Sequence, residues 1–589
     1  MKLLNIILIT SFFIFVFSFI FSTSTDFSQD LGRHLKLGEI ILKTRRVPVT
    51  NFFSFTSPNF PFINHHWLSE VIFYLISRIF GLNALLILKV GLIIGTVAIL
   101  IKIAIKKSGV VSGIISGLIF ALLLIERNDI RPEIFAYFFF SVILYLLLDG
   151  LKNSKVIYLL PIIMLLWINI HISFVFGVFL ILLILIKFYL LDLPARNASH
   201  SEAGGRGQAR PVGINRRVIF FLILSLGILL LNPQGINGIL YPLNIFKNYG
   251  YTIVENQNIF YLKQVIFNPL LNYFILLIPV ILLIILTSMN QFIEALLLLV
   301  FFVLTCFQWR HLPFFVLVAI PITAKVISYW LMVIRRKIQI HEFVRSLIFL
   351  VLIFLNLGGS IFFVTNQYSK IFDREDKFGI EHVESGKNAT DFVLKSKLPG
   401  NIFNNFDIGG YLIYKLFPKY RVFIDNRPEA YPKEFIEDIY KKMHYEKNLQ
   451  KKIFEKYNIQ TIIFSHTDQT QWGEIFIEDI FKNRDWKLVY LDHSIIILTK
   501  KNIKDIRMSK FYLENLIIQE NNYLNLLKLT RIFRKMNEIK LADKAMILAS
   551  DLNPKSCSVN KFLYAKYLNK EELFYFKINE LRKNNWYCF

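Results

Sequence analysis

Residues 266–287 have the sequence IFNPLLNYFILLIPVILLIILT, which contains no charged side chain. The hydrocarbon core of a bilayer is about 30 Å thick, and about 20 apolar residues in an α-helix cross it. This stretch therefore predicts a transmembrane helix, and the rest of the chain decides how many such helices accompany it.

The same criterion of length and apolar character identifies ten further stretches. The complete set is about 4–22, 84–105, 108–125, 132–148, 156–171, 173–191, 217–232, 266–287, 291–307, 312–333 and 345–365. Together they predict an all-α polytopic membrane domain of about eleven transmembrane helices over residues 1–366.

Composition agrees with this assignment and divides the chain. Hydrophobic residues make up 54% of the sequence, against roughly 45–50% in soluble proteins, and the mean hydropathy is +0.49. The excess is confined to residues 1–366, whereas residues 367–589 have an ordinary soluble composition. We expect an α/β domain over 367–502 and a helical tail over 503–589.

The basic residues indicate the orientation. If the N-terminus is cytoplasmic, the loops with Lys106 and Lys107, Lys152 and Lys155, Arg196 to Arg217, and Arg335 to Lys337 are also cytoplasmic, as the positive-inside rule requires. An odd helix count then places the C-terminal region outside the cytoplasmic membrane. Residues 192–216 are rich in Gly, Ser, Ala and Arg, and they predict a disordered cytoplasmic loop.

Two features of the sequence leave alternatives open. Stretch 4–22 ends near Ser22, Thr23 and Ser24, so a cleaved signal peptide is the alternative to a first transmembrane helix. Cys557 and Cys588 have a spacing that allows but does not require a disulfide.

The net charge of +25 does not indicate nucleic-acid binding. The basic residues are scattered over loops and accompany no nucleic-acid-binding motif. We therefore expect no nucleic-acid partner.

The long first external loop, residues 23–83, contains two helical patches. In the first patch Asp30, Arg33 and His34 are spaced i, i+3 and i+4, so a helix would place them on one side. This trio suits the binding of a phosphate anion. In the second patch His66 and Glu70 have the same i, i+4 spacing. The alternative for either patch is an amphipathic helix at the membrane interface.

Further polar residues collect at the predicted external helix ends. They are Arg127, Asp129, Arg131, Asn169, His171, Asn232, Glu255, Asn256, Arg310 and His311. Ionisable groups at bilayer depth are costly and usually face a cavity or a partner. Snorkelling to the headgroups is the alternative for Arg310, and an interhelical hydrogen bond is the alternative for His171.

The soluble region alternates helix-like and strand-like stretches. A strand is expected at YRVFID, where its end would present Asp425, Asn426 and Arg427 for acceptor binding or a structural ion pair. For Gly409 and Gly410, a turn with positive φ is favoured over a phosphate-binding turn. Within the tail, KLADKAMILASDLNPKS resembles one degenerate tetratricopeptide unit.

Nine strings, taken in order, resemble a bacterial branch of the GT-C class of membrane glycosyltransferases. They are DLGRHLKLGEII, VPVTNFFSFT, HHWLSEVIF, IRPEIF, LWINIHISFVFG, LNPQG, RHLPFFVLVAIP, NIFNNFDIGGYLIY and YRVFIDNRPEAY. The class includes protein O-mannosyltransferases, aminoarabinose transferase and oligosaccharyltransferase. Two features depart from it: Asp30 is followed by Leu31 rather than by a second acidic residue, and a WWDYG-type motif is missing.

The resemblance implies an inverting enzyme that takes sugar from a polyprenyl-phosphate carrier on the extracytoplasmic side. The acceptor would be a glycan, a lipid or a protein. It implies Asp30 as the base, with Asp26 as an alternative, while Glu70 with His66 is the rival base. The expected substrate- and phosphate-binding residues are Arg33, His34, His66, Arg131, His171, Arg310 and His311. Whether Asp30, His66 and Glu70 hold a divalent cation is left open by the sequence.

Two other functions compete with the enzyme. A transporter or flippase of lipid-linked glycans also needs many helices, but such proteins tend to have internal repeats and broken helices, which this sequence lacks. A membrane-anchored scaffold leaves the trio of Asp30, Arg33 and His34 without a role.

Overall fold

The computed structural model describes residues 2–25, 30–150, 155–198, 216–245, 249–266, 268–337, 342–501 and 508–568. Three sequence predictions fall partly outside these ranges. Asp26 and Cys588 are not among the described residues, nor is most of the predicted loop 192–216, although its first residues continue a helix to Ala198.

The membrane domain is helical. Its helices are α1 (Lys2–Ile20), α2 (Leu31–Thr44), α3 (Trp67–Phe80), α4 (Asn83–Ser108), α5 (Val110–Phe120), α6 (Glu133–Tyr145), α7 (Leu160–Ile170), α8 (Phe174–Ala198), α9 (Arg216–Gly227), α10 (Ile236–Asn244), α11 (Ile259–Val265), α12 (Pro269–Thr287), α13 (Phe292–Phe307), α14 (Leu312–Lys337), α15 (Glu342–Val364) and α16 (Gln367–Ile371). Each of the eleven predicted stretches contains one apolar helix.

The protein is a multi-pass membrane protein. Six helical stretches in the described part of the chain are long and apolar enough to cross a bilayer: Lys2–Ile20, Asn83–Ser108, Val110–Arg127, Pro269–Thr287, Trp309–Arg336 and Ser346–Val364. Four shorter apolar helices accompany them. The count of eleven crossings remains a prediction.

Polar contacts between helix ends define two faces of the bundle. On one face Arg127, after α5, pairs with Glu133 at the start of α6 at 2.5 Å, and Arg310, before α14, also reaches Glu133. On the other face Lys106, at the end of α4, pairs with Asp149, beyond α6, at 2.7 Å. The predicted external polar residues therefore share one face of the bundle, and basic residues mark the opposite face.

The first loop contains the two predicted helices, α2 and α3, packed closely together. A Cβ atom built on Gly38 of α2 would lie 2.1 Å from the carbonyl oxygen of Glu70 in α3. Only glycine permits this approach, because a contact below 3.0 Å forces one backbone to move. The absence of a side chain at Gly38 thus fixes how the two patches face each other.

The C-terminal domain is built on a small mixed sheet of four strands, β3 (Asn401–Asn404), β4 (Ile459–Ser465), β5 (Trp486–Leu491) and β6 (Ile495–Lys500). Their order in the sheet is β3–β4–β6–β5. β3 pairs with β4 in parallel, and β6 pairs antiparallel with β4 and β5. Its α-helices are α17 (Lys387–Ser396), α18 (Gly409–Leu416), α19 (Lys447–Lys456) and α20 (Gln471–Lys482). The predicted mixture of helices and strands is confirmed.

The strand expected at YRVFID is wrong. Val422 forms only an isolated bridge, to Ser54 of the first loop, and its amide donates to the carbonyl of Phe53 at 3.0 Å. This segment therefore does not join the sheet. Val422 pairs with the first loop instead, and the Phe423 amide donates to the side chain of Asn404 at 2.9 Å.

The first loop and the C-terminal domain are also joined by two short strands. β1 (Ser24–Thr25) pairs in parallel with β2 (His382–Val383). The tail continues with α21 (Lys510–Ile518), α22 (Tyr523–Lys535), α23 (Ile539–Leu552) and α24 (Cys557–Leu568), and Asn553 donates to the carbonyl of Lys370 at 2.9 Å. The pairing of β1 with β2 and the bridge at Val422 thus hold the soluble region against the first loop, and the tail packs on α16.

Candidate functional site

Asp30 lies at the N-terminus of α2, where the chain enters the first loop helix. Its Oδ1 accepts a hydrogen bond of 2.5 Å from Asn426 Nδ2 and is 3.2 Å from Arg33 Nη2. Its side chain keeps 29% of its surface exposed. Burial raises the pKa of this carboxyl, but the charges of Arg33 and Arg131 together lower it further, so the pKa lies below its usual value.

Glu70 of α3 lies beside Arg33 and His34 and is fully buried. Its Oε1 and His34 Nδ1 share a hydrogen bond of 3.0 Å, and its Oε2 accepts from Asn64 Nδ2 at 2.7 Å. Arg33 Nη1 is 3.8 Å from Oε1. Burial raises the pKa of Glu70 to about 7, although Arg33 and Asn64 oppose the shift.

Three histidines form a row across the site. The ring centroids of His34 and His66 are 5.4 Å apart, and those of His66 and His171 are 5.3 Å apart. His66 Nδ1 must donate to the carbonyl of Ile170, 3.1 Å away, because a carbonyl oxygen only accepts. Burial lowers the pKa of His34 and of His66 well below the usual value, so both rings are neutral.

Glu133, at the start of α6, is the centre of a second cluster. Its Oε2 accepts from Arg127 Nη2 at 2.5 Å and from the Tyr137 hydroxyl at 3.2 Å. Its Oε1 accepts from Arg310 Nη2 at 3.2 Å, and His171 Nε2 is 3.7 Å away. Such a buried carboxylate holds the guanidinium groups of Arg127 and Arg310 in place on this face of the helix bundle.

Glu255 extends this cluster from the loop between α10 and α11. It pairs with Arg127 and accepts from Arg131 Nη1 at 3.2 Å. Burial raises the pKa of Glu255, but Arg127 and Arg131 lower it further, to about 2. The carboxylate is therefore ionised throughout the physiological range.

Two guanidinium N–H groups near Asp30 have no hydrogen-bond acceptor in the described part of the chain. They are Arg33 Nε and Arg131 Nε, and both are buried. Asp129 Oδ2 approaches Arg131 Nε only to 3.8 Å, which is too far for a hydrogen bond. A buried donor without an acceptor is costly, so these two groups are suited to donate to an anionic ligand.

The predicted site residues fall into two connected groups. Asp30, Arg33, His34 and Glu70 form one group, and Arg131, His171 and Arg310 belong to the Glu133 and Glu255 cluster. His66 lies between them. His311 lies apart, with its Nε2 3.1 Å from Gln308 Oε1 and its ring 5.5 Å from Phe176.

Sequence reasoning missed several members of these groups. Arg127 and Glu255 were noted as polar without a role, and Asn426 was considered for acceptor binding rather than as a partner of Asp30. Asn64 and Glu133 were not singled out. Glu133 carried a usable signal, because it is an acidic residue in an otherwise apolar predicted helix and lies beside Arg131. Asn64 carried none, since loop asparagines are common.

The residues proposed as metal ligands do not fit a metal ion. Asp30 and Glu70 both contact Arg33, and His66 Nδ1 is engaged by a backbone carbonyl. Within the described ranges, no three His, Cys, Asp or Glu side chains are arranged to hold a metal.

Asp425 and Arg427 form a buried structural ion pair. Arg427 Nε and Nη2 donate to the two carboxylate oxygens at 2.7 and 2.8 Å, and the guanidinium lies 5.3 Å from the ring of Phe53 and 4.8 Å from that of Phe62. The pair therefore anchors the first loop to the C-terminal domain, and Asn426 between them is directed to Asp30.

The expectation of positive φ at Gly409 and Gly410 is wrong, since neither is among the residues with positive φ. A Cβ atom on Gly409 would lie 2.3 Å from the carbonyl oxygen of Ile424, and one on Gly410 would lie 2.9 Å from Asn426 Oδ1. Glycine is needed here because α18 packs directly on the segment that carries Asn426.

Solved structures that match this chain over most of its length include GT-C glycosyltransferases. One is the archaeal oligosaccharyltransferase AglB from Archaeoglobus fulgidus in complex with an inhibitory peptide and a dolichol-phosphate, with 10% identity, a TM-score of 0.48, and coverage of 92% of this chain and 84% of that chain. Another is ArnT from Cupriavidus metallidurans bound to undecaprenyl phosphate, with 11% identity, a TM-score of 0.48, and coverage of 86% and 99%. These similarities concern the fold alone.

No family model matches the chain, and no curated protein matches it in sequence.

Proposed function

We propose that this protein transfers a sugar from a polyprenyl-phosphate carrier to an acceptor on the extracytoplasmic face of the membrane. The observation that carries the proposal is the setting of Asp30. A partly exposed carboxylate lies among the charges of Arg33 and Arg131, each of which has a buried N–H without an acceptor in the described residues. A base and phosphate-binding cations are the two elements that such a transfer requires.

The donor phosphate is assigned to Arg33 and Arg131. A planar guanidinium can donate two parallel hydrogen bonds to phosphate oxygens. Glu255 holds Arg131 through Nη1, so Nε remains available to the ligand. Arg310 is fixed by Glu133 and Asn256 and stabilises charge at the edge of the same site.

Asp30 is the proposed base. In the reaction, the acceptor oxygen forms a bond to the sugar C1 while the bond from C1 to the phosphate oxygen breaks. The electron pair leaves with the polyprenyl phosphate, and the acceptor proton passes to Asp30. Attack from the side opposite the phosphate inverts the configuration at C1. The low pKa of Asp30 keeps it ionised and ready to accept the proton.

Glu70 is assigned a positioning role rather than the role of base. Both of its oxygens are already engaged, and its side chain is not exposed to solvent. A base must come within hydrogen-bond reach of the proton that it removes. Glu70 instead fixes the tautomer of His34 and the direction of Arg33.

The orientation follows from charge. Lys106, Lys107, Lys187 and Lys325 lie on the face opposite to the site and make polar contacts there. Cytoplasmic loops collect Lys and Arg, so we assign that face to the cytoplasm and the site with the C-terminal domain to the outside. The C-terminal domain then acts as a lid, because its Asn426 contacts Asp30 directly.

The test uses purified full-length protein in proteoliposomes, a panel of polyprenyl-phosphate monosaccharides with labelled sugar, and cell-envelope fractions as acceptors. The expected result is label in the acceptor fraction with equal release of free polyprenyl phosphate. Movement of label across the bilayer without release of polyprenyl phosphate would identify a flippase instead. Neither transfer nor movement with any donor would favour a scaffold.

A further inference from the structure

The C-terminal domain contains a cleft of about 680 Å³ away from the membrane-facing site. It lies between α19, α20 and the ends of β5 and β6. This volume is within the range of about 300–1,000 Å³ that is usual for ligand pockets. The cleft is therefore large enough for a small oligosaccharide.

The walls of the cleft carry more lysines than carboxylates. Five lysines border it, namely Lys447, Lys451, Lys482, Lys500 and Lys501. Three carboxylates also border it, namely Glu455, Asp479 and Asp485. Asp479 pairs with two of the lysines, Lys447 at 3.5 Å and Lys482 at 3.8 Å. Within the described ranges, the other three have no carboxylate at ion-pair distance. The cleft therefore favours an anionic ligand.

His444 provides a second, independent indication of a ligand. It borders the cleft and is 2% exposed. Its Nδ1 donates to the carbonyl of Tyr440 at 2.6 Å, so Nε2 carries the lone pair, yet Nε2 has no donor in the described part of the chain. Burial lowers the pKa of His444 to about 4 and keeps the ring neutral. A neutral imidazole nitrogen accepts from a hydroxyl group.

The remaining lining suits a sugar. Phe454 and Trp486 border the cleft but are largely buried in the core, and the side chains of Asn448, Gln450 and Asn483 supply amides. Amides can donate to and accept from hydroxyl groups. A concave cleft also fits a discrete ligand better than the flat surface of a bilayer does.

We propose that this cleft binds an acidic oligosaccharide, with the lysines holding its carboxylate or phosphate groups and His444 accepting from one of its hydroxyls. The site is separate from Asp30 and its partners. Its occupancy can therefore be measured without any transfer reaction, and the binding result is independent of the function proposed above.

The test measures binding of trigalacturonate to detergent-solubilised full-length protein by isothermal titration calorimetry. Maltotriose serves as the neutral trisaccharide, and the double variant Lys451→Gln, Lys500→Gln removes two unpaired charges. The matched control Lys452→Gln, Lys456→Gln removes the same charge from α19 positions that do not border the cleft. Loss of a charge-assisted hydrogen bond lowers affinity roughly tenfold or more.

The expected result is binding of trigalacturonate at least about tenfold tighter than binding of maltotriose, with that preference lost in the cleft variant and kept in the control. Equal binding of the two trisaccharides would overturn the proposal, as would equal affinity of the cleft variant and the wild type. Soluble dihexanoyl phosphatidylglycerol is a third probe. If it binds as tightly as trigalacturonate and depends on the same lysines, the ligand is a lipid headgroup and the saccharide proposal fails.

Discussion

Asp30 Oδ1 and Asn426 Nδ2 are 2.5 Å apart, although 396 positions separate the two residues in the sequence. The carboxylate belongs to the loop that follows the first apolar helix, and the amide belongs to the soluble C-terminal domain. The same oxygen is 3.2 Å from Arg33. The candidate base is thus oriented by both halves of the protein, and the C-terminal domain contributes directly to the site.

Replacing Asn426 tests this contact. Asn426→Ala removes the donor to Asp30, and we expect the turnover of sugar transfer to fall roughly tenfold, since a hydrogen bond to a charged group contributes about 1.5–3 kcal/mol. The measurement is the initial rate of transfer at saturating donor. Asn525→Ala is the matched control, because Asn525 donates to Glu520 at 3.1 Å elsewhere in the soluble region. Equal rates for the two variants would show that the contact with Asp30 is dispensable.

Glu133 is predicted to be a structural centre of the second cluster. Glu133→Gln removes the charge that Arg127 and Arg310 share, and breaking a buried pair in this way costs about 3–5 kcal/mol. We expect the variant in detergent to have a lower unfolding temperature than the wild type, measured by intrinsic fluorescence. The exposed Glu434→Gln should change the free energy of unfolding by less than about 0.5 kcal/mol. An unchanged unfolding temperature for Glu133→Gln would contradict the assigned role.

The close packing of α2 on α3 leads to a prediction at Gly38. In Gly38→Ala the new Cβ would lie 2.1 Å from the Glu70 carbonyl oxygen, so one of the two helices must shift. We expect this shift to lengthen the hydrogen bond between His34 and Glu70. We expect a loss of about 1–3 kcal/mol in stability together with reduced transfer. Gly91→Ala in α4 is the control, because a Cβ there meets open space. A stable and fully active Gly38→Ala protein would mean that this close approach is not required.

The buried carboxyl of Glu70 predicts a pH dependence of stability. Its pKa is about 7 in the folded protein, against the usual 4.5 in the unfolded chain. Between these values the folded state keeps a proton that the unfolded state has lost, so stability falls as pH rises from about 4.5 to 7. The change is up to about 3 kcal/mol. Glu70→Gln cannot ionise and should lose this part of the pH dependence.

The measurement is the difference in unfolding free energy between wild type and Glu70→Gln across that pH range. The wild type should lose stability relative to the variant as pH rises. The opposite trend would mean that ionised Glu70 stabilises the fold and that its pKa is lowered.

Local patterns were sufficient to predict the helices and which polar residues cluster around Asp30. The i, i+3 and i+4 spacing of Asp30, Arg33 and His34 placed them together, because α2 begins where the spacing predicts. Each of the eleven apolar stretches marked a helical segment, although six helical stretches in the described residues reach the length of a bilayer crossing. Alternation of helix-like and strand-like segments also indicated the α/β domain.

Contacts between distant segments could not be predicted in the same way. YRVFID has the composition of a strand, but Val422 pairs with the first loop, and nothing in its own sequence identifies that partner. Gly409 and Gly410 were expected to need positive φ, whereas they make room for the backbone at Ile424 and for Asn426. The bond from Asn426 to Asp30 likewise depends on the docking of two domains.

The most direct test of the account is transfer of labelled sugar from polyprenyl phosphate by purified Asp30→Asn. This change keeps the size of the side chain and removes its charge. We expect transfer to fall at least about 100-fold, as for the loss of a general base, while the protein remains folded with an unfolding temperature near that of the wild type. Glu39→Gln, on the same helix and paired with Lys36 and Lys43 at the surface, should retain full activity. Undiminished transfer by folded Asp30→Asn would contradict the assignment of Asp30 as the base.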